Sequence, residues 1–163
     1  MTPHSELRKE IENASVWADA VFADVGEILP MWHAVGADGT CHIIPQVEPN
    51  KDFMAQALRA FCEDQKIVRL LFISEAWTSI SSTPESAKRA EDWIAAHNTL
   101  ETYPERDEML IFQGEDENGM IGAARKIIRV EGKKPTLGPL EWHEADGYSG
   151  RYTGLLPRKG SIQ

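Results

Sequence analysis

Cysteine is scarce in this sequence. Cys41 and Cys62 are its only two, too few and too unpatterned for a disulfide framework or a zinc site. Long hydrophobic runs are missing: unbroken apolar stretches reach only a few residues, far short of the roughly 20 that a membrane helix needs. No positive n-region followed by an apolar h-region stands in Met1 to Glu6, so the expected setting is the cytoplasm, with no membrane contact. A basic excess is lacking too. Residues 1–122 hold 9 Lys and Arg against 22 Asp and Glu, whereas residues 123–163 hold 8 against 4, for a net charge of −9. So acidic a body repels phosphates, and nucleic acid is expected at most through the basic C-terminal arm. With 42% hydrophobic and 26% charged residues, the rest has the balance of a soluble globular domain.

Apolar residues Leu7, Ile11, Ala14, Ala18, Val21, Phe22, Val25 and Ile28 recur at three- and four-residue steps and predict a helix that starts near Thr2-Pro3 and ends at Gly26. Two strand-like runs follow, residues 31–36 and 40–45, with Asp38-Gly39 between them as a two-residue type I′ turn. Asn50 is expected to cap a second helix whose apolar face is Phe53, Met54, Ala57, Leu58, Phe61 and Cys62. The run from Ile67 to Ser74 is apolar on both alternating faces, which predicts a central strand covered on each side. Thr83-Pro84 can open a short optional helix to Asn98. Asn118-Gly119 is expected to turn a second hairpin, pairing 109–114 with 123–130.

Beyond Gly132, proline and glycine break any regular pattern. Two units are therefore expected: an α+β domain over 1–132 and an extended basic arm over 133–163, packed on the domain or on a partner. The domain is expected to be a mostly antiparallel five-stranded sheet, two hairpins plus a central strand, packed with two main helices.

Chemistry-bearing residues are few. In the type I′ register Val35 pairs with His42 and His33 with Ile44, which puts both histidines on one face as two possible metal ligands. No His-Glu-x-x-His or Cys-x-x-Cys pattern supplies a third, and the bland reading is a pair of ordinary strand histidines. Ser74 and Glu75 stand at the end of the buried strand, where a sheet aims groups into a cleft. Parity places Glu75 with Leu71, Ile73 and Trp77, so burial should raise its pKa. Its bland role is to cap a backbone group or to pair with Arg106 or Arg125. The run Glu115-Asp116-Glu117-Asn118-Gly119 lacks the ligand spacing of a calcium loop and reads as a solvated hairpin tip. In the arm, Tyr148, Arg151 and Tyr152 interleave aromatic and basic groups. They are binding candidates, and with Leu155 and Leu156 they also suit a strap laid across the domain or a second subunit.

The string Val68-Arg69-Leu70-Leu71-Phe72-Ile73-Ser74-Glu75-Ala76-Trp77, with Pro104 to Ile111 and Thr136-Leu137-Gly138-Pro139-Leu140-Glu141, resembles an uncharacterised family of small bacterial and phage- or plasmid-borne proteins. Tyr103 stands where that pattern has histidine. The resemblance implies no catalytic residues, because the family has no assigned activity.

The leading expectation is thus a non-catalytic binding or regulatory module, associated with mobile elements and acting on a protein partner or a second copy, with no cofactor. The alternative is a small hydrolase or metal-dependent enzyme built around Glu75, His33 and His42.

Overall fold

A computed structural model describes residues 3–78, 83–99, 102–104, 106–143 and 155–156. Ten elements follow in order: α1 (Ser5–Asp24), β1 (Met31–Gly36), β2 (Cys41–Pro45), α2 (Lys51–Asp64), β3 (Ile67–Thr78), α3 (Pro84–His97), β4 (Asp107–Asp116), β5 (Gly119–Ile128), β6 (Thr136–Leu137) and β7 (Glu141–His143). The strands lie in the order β2-β1-β3-β4-β5-β6, with β7 also on β5. All six pairings are antiparallel. The α+β antiparallel architecture is as expected. The counts are not: there are seven strands and three helices among the described residues.

The two extra strands come from the segment after Gly132. Thr136-Leu137 pairs with Ile127-Ile128, and Glu141 to His143 pairs with Gly122 to Ala124. Proline and glycine interrupt this return along β5 without preventing it, because an outermost strand tolerates a missing donor.

Helix ends follow local chemistry. Asn50 accepts the Phe53 N–H at 3.0 Å, as its cap position requires. Thr83 and Ser86 close a reciprocal capping box at the start of α3. Helix α1 begins later than expected: its N-cap is His4, in left-handed backbone and without a side-chain cap. Gly26, with φ 85°, follows its C-cap, the left-handed position that glycine fills at no steric cost.

The sheet is the middle layer. On one face Leu7, Ile11, Ala18 and Phe22 of α1 pack against Leu71, Ile73, Leu110, Phe112, Ile121 and Ala123. On the other, Met54, Leu58 and Cys62 of α2 pack with Trp32, Ala34, Ile67 and Leu70. Strand β3 is therefore covered on both faces, which is why its sequence runs apolar without alternation. No described helix is long and apolar enough to cross a membrane.

Helix α1 approaches β4 most closely at Gly114. A Cβ there would stand 2.9 to 3.0 Å from three side-chain atoms of Leu7, itself fully buried. Gly114→Ala is expected to lower stability by about 2 kcal/mol, as overpacking does, read as a shifted denaturation midpoint. A neutral effect would show that α1 can lift from the sheet.

Candidate functional site

The first hairpin decides what its side chains can reach. Gly36 N–H donates to Thr40 O and Gly39 N–H donates to Gly36 O, both at 2.9 Å. Gly39 has φ 85°. The loop is thus the three residues Ala37-Asp38-Gly39, a type I turn closed by a left-handed glycine, not the expected two-residue turn. Asp38 Oδ1 accepts the Thr40 N–H at 2.9 Å, which holds its carboxyl below the usual range.

One added loop residue shifts the register by one, and a shift by one moves partners across the sheet. His33 lies opposite Ile43 and His42 opposite Ala34, so the two histidines occupy opposite faces and cannot share an ion. This corrects the paired-histidine expectation. His42 sits edge-on to Phe61 of α2, with ring centroids 5.2 Å apart. Cys41, opposite Val35, moves onto the His33 face.

On that face there is a groove of about 380 Å³. Helix α1 packs over β3, β4 and β6 and leaves the β1–β2 end of the sheet open. Glu10, Asn13, Ala14 and Trp17 of α1 form one wall, while Met31, His33, Ile43 and Ile73 line the sheet side. The wall residues fall at the i, i+3, i+4, i+7 spacing of one helix face. Glu10 is held by an ion pair to Arg69. The groove opens beside β2, the last strand on that side of the sheet.

Glu75 behaves as its parity predicted. It shares a face with Leu71 and Ile73, and its Oε2 accepts the Ile28 N–H at 2.8 Å. Burial raises its pKa, a shift opposed by that hydrogen bond and reinforced by Glu108. The nearby cation is Arg129, at 3.8 Å, in place of Arg106 or Arg125. Arg129 is itself forked on Glu108. Arg106 instead lies over the Trp77 ring, 4.7 Å from its centroid.

Ser74 projects to the face opposite Glu75, because neighbours in a strand alternate. His33 pairs with Leu71, four residues from Glu75, or about 13 Å along the strand. These residues do not assemble into one constellation.

Raising the folded-state pKa of an acid means that its contribution to stability is greatest below the unfolded value. That contribution is lost as pH rises from about 4.5 through the folded pKa. Glu75→Gln is therefore expected to flatten this fall relative to wild type in urea titrations across acid pH. Parallel profiles would contradict a shifted carboxyl.

Tyr148, Arg151 and Tyr152 lie outside the described residues. Leu155 and Leu156 do not: both are buried in the α2-face cluster. Their backbone N–H groups donate to Glu115 Oε1 and Oε2 at 2.9 and 3.1 Å. Glu115 is only 2% exposed, which corrects the reading of this turn as a solvated tip. Asp116 is buried too, with Oδ1 2.8 Å from His4 Nδ1. The register accounts for Glu115, which lies opposite Leu70 on the α2 face, whereas Asp116 lies opposite Arg69 on the other face.

Sequence reasoning also missed Arg125 as a structural centre, because beside Lys126 it reads as one of a pair of surface charges. Among the described residues no three His, Cys, Asp or Glu side chains are grouped to hold a metal ion. No protein-family model, curated protein or solved structure matches this chain.

Proposed function

We propose that the protein is a non-catalytic binding module that docks on other polypeptide through its β1–β2 hairpin. One observation carries this reading. From Ile28 to Val47, twenty residues, Asp38 is the only Asp, Glu, Lys or Arg, in a chain that is 26% charged. The same stretch leaves Leu29, Ile43 and Val47 exposed at 70, 59 and 79%.

A hydrogen bond from Gln46 N–H to Pro30 O carries the ladder to the point where Leu29 and Val47 come opposite. The apolar surface is thus continuous along the hairpin and runs into the groove under Trp17. Uncharged apolar surface next to a strand edge that no other described strand pairs suits an extended segment, which gains affinity from main-chain hydrogen bonds and selectivity from alternate side chains.

Selection of displayed random peptides against the full chain tests this. Bound peptides are expected to alternate apolar residues and to lose about tenfold or more in affinity to an Ile43→Asp variant, in line with loss of a central contact. Recovering no binders, or binders indifferent to Ile43→Asp, would contradict it.

A further inference from the structure

The hairpin's hydrogen-bond ladder fixes which groups of β2 point away from β1, on the side where no other described strand pairs with it. Inner bonds are set at one end by Gly36 with Thr40 and at the other by Pro30 with Gln46. In an antiparallel ladder the N–H and C=O of alternate residues point the same way. His42 and Ile44 therefore face β1, while Cys41, Ile43 and Pro45 face outward. The outer edge offers the N–H groups of Cys41 and Ile43 and the carbonyls of all three, since Pro45 has no donor.

We infer that this edge is the interface between two copies of the chain, with β2 paired antiparallel to the partner's β2 about a twofold axis at Ile43. The inference rests on the docking reading above and names its occupant. In that register each Ile43 N–H donates to the C=O of the partner's Ile43, and each Cys41 N–H donates to the C=O of the partner's Pro45. All four outward donors are satisfied, and the proline falls where only an acceptor is asked of it.

Charge argues for a second copy over a foreign segment. A twofold contact sets a surface against itself, and like charges placed opposite each other destabilise a strand pair. With −9 net charge, most of this molecule's surface is unsuited to meeting its own image. Residues 40–47, Thr-Cys-His-Ile-Ile-Pro-Gln-Val, carry no Asp, Glu, Lys or Arg. Monomeric proteins commonly guard such edges with lysine, inward charges or bulges, whereas β2 has only the proline at its end. Pairing would bring the two Ile43 side chains together on the groove face, giving each groove an apolar neighbour.

Sedimentation of the full chain over a concentration series tests the pairing, with two variants. Ile43→Lys is expected to weaken the dimer about a hundredfold, because symmetry makes each substitution act twice. Ile43 is more than half exposed, so at concentrations where wild type is itself monomeric the variant should keep the wild-type melting curve. Ile43→Cys combined with Cys41→Ser is expected to cross-link under mild oxidation. A hydrogen-bonded antiparallel pair has Cα atoms about 5.5 Å apart, inside the span of a disulfide.

A dimer that fails to cross-link at position 43 overturns the register. A monomer at every concentration overturns the self-pairing. If a monomeric chain still selects peptides that depend on Ile43, the docking reading survives; if it selects none, both fall.

Discussion

Arg125→Ala is expected to destabilise the fold by about 3 kcal/mol, the range for removing one member of a buried charged network. Arg125 is only 8% exposed, and its guanidinium has several partners. It donates to Gly138 O at 2.6 Å, Ser15 O at 2.9 Å and Leu137 O at 3.3 Å, and meets Asp19 Oδ1 at 2.8 Å. It ties its own strand, β5, to two other segments, α1 and the β6–β7 return. Asp19 is mostly exposed, and its pair adds little after solvent screening. The weight falls on the three carbonyls, which lose charge-assisted donors. Arg125→Lys should recover only part of the loss, since one ammonium cannot span the same fork. Urea unfolding measures both, and a loss under about 1 kcal/mol for Arg125→Ala would contradict this role.

Glu115→Ala should be comparably severe, at about 3 kcal/mol, because it leaves two buried N–H groups without their acceptor and opens a void beside Leu70. Its effect should be local as well as global. Leu155 and Leu156 are expected to leave the α2 face, giving faster protease cleavage near them before global unfolding.

A second readout comes from Cys62. Its thiol is pushed up to about 11, by burial first and by the Glu115 charge second, so wild type should be alkylated at exposed Cys41 and not at Cys62. Losing Glu115 and the leucines over the cluster should make Cys62 reactive. Unchanged Cys62 labelling together with an unchanged cleavage pattern would show that the leucines are held by packing alone.

How much of this could be read from the sequence differs by element, for physical reasons. Strand β3 was legible because a run apolar on both faces has few other solutions, and α2 and α3 because Asn50 and Thr83-Pro84 announce their starts. Glu75 was legible through parity alone. The histidine pair was not, because Asp38-Gly39 suits both a two-residue and a three-residue loop, and only the Gly36–Thr40 hydrogen bond separates them. Glu115 and Arg125 look like surface charges in sequence. Their burial depends on segments 40 and 110 residues away, a distance at which local pattern carries no signal. The groove was equally hidden, since it exists only because α1 stops short of β1 and β2.

Residue-resolved amide exchange along β2, followed from dilute to concentrated protein, bears most directly on the docking surface. The account predicts slow exchange at His42, Ile44 and Gln46 throughout. At Cys41 and Ile43 it predicts fast exchange in dilute solution, slowing as concentration rises. Slow exchange at Cys41 and Ile43 already in the dilute, monomeric protein would contradict the account, because the outer edge of β2 would then be covered within the single chain.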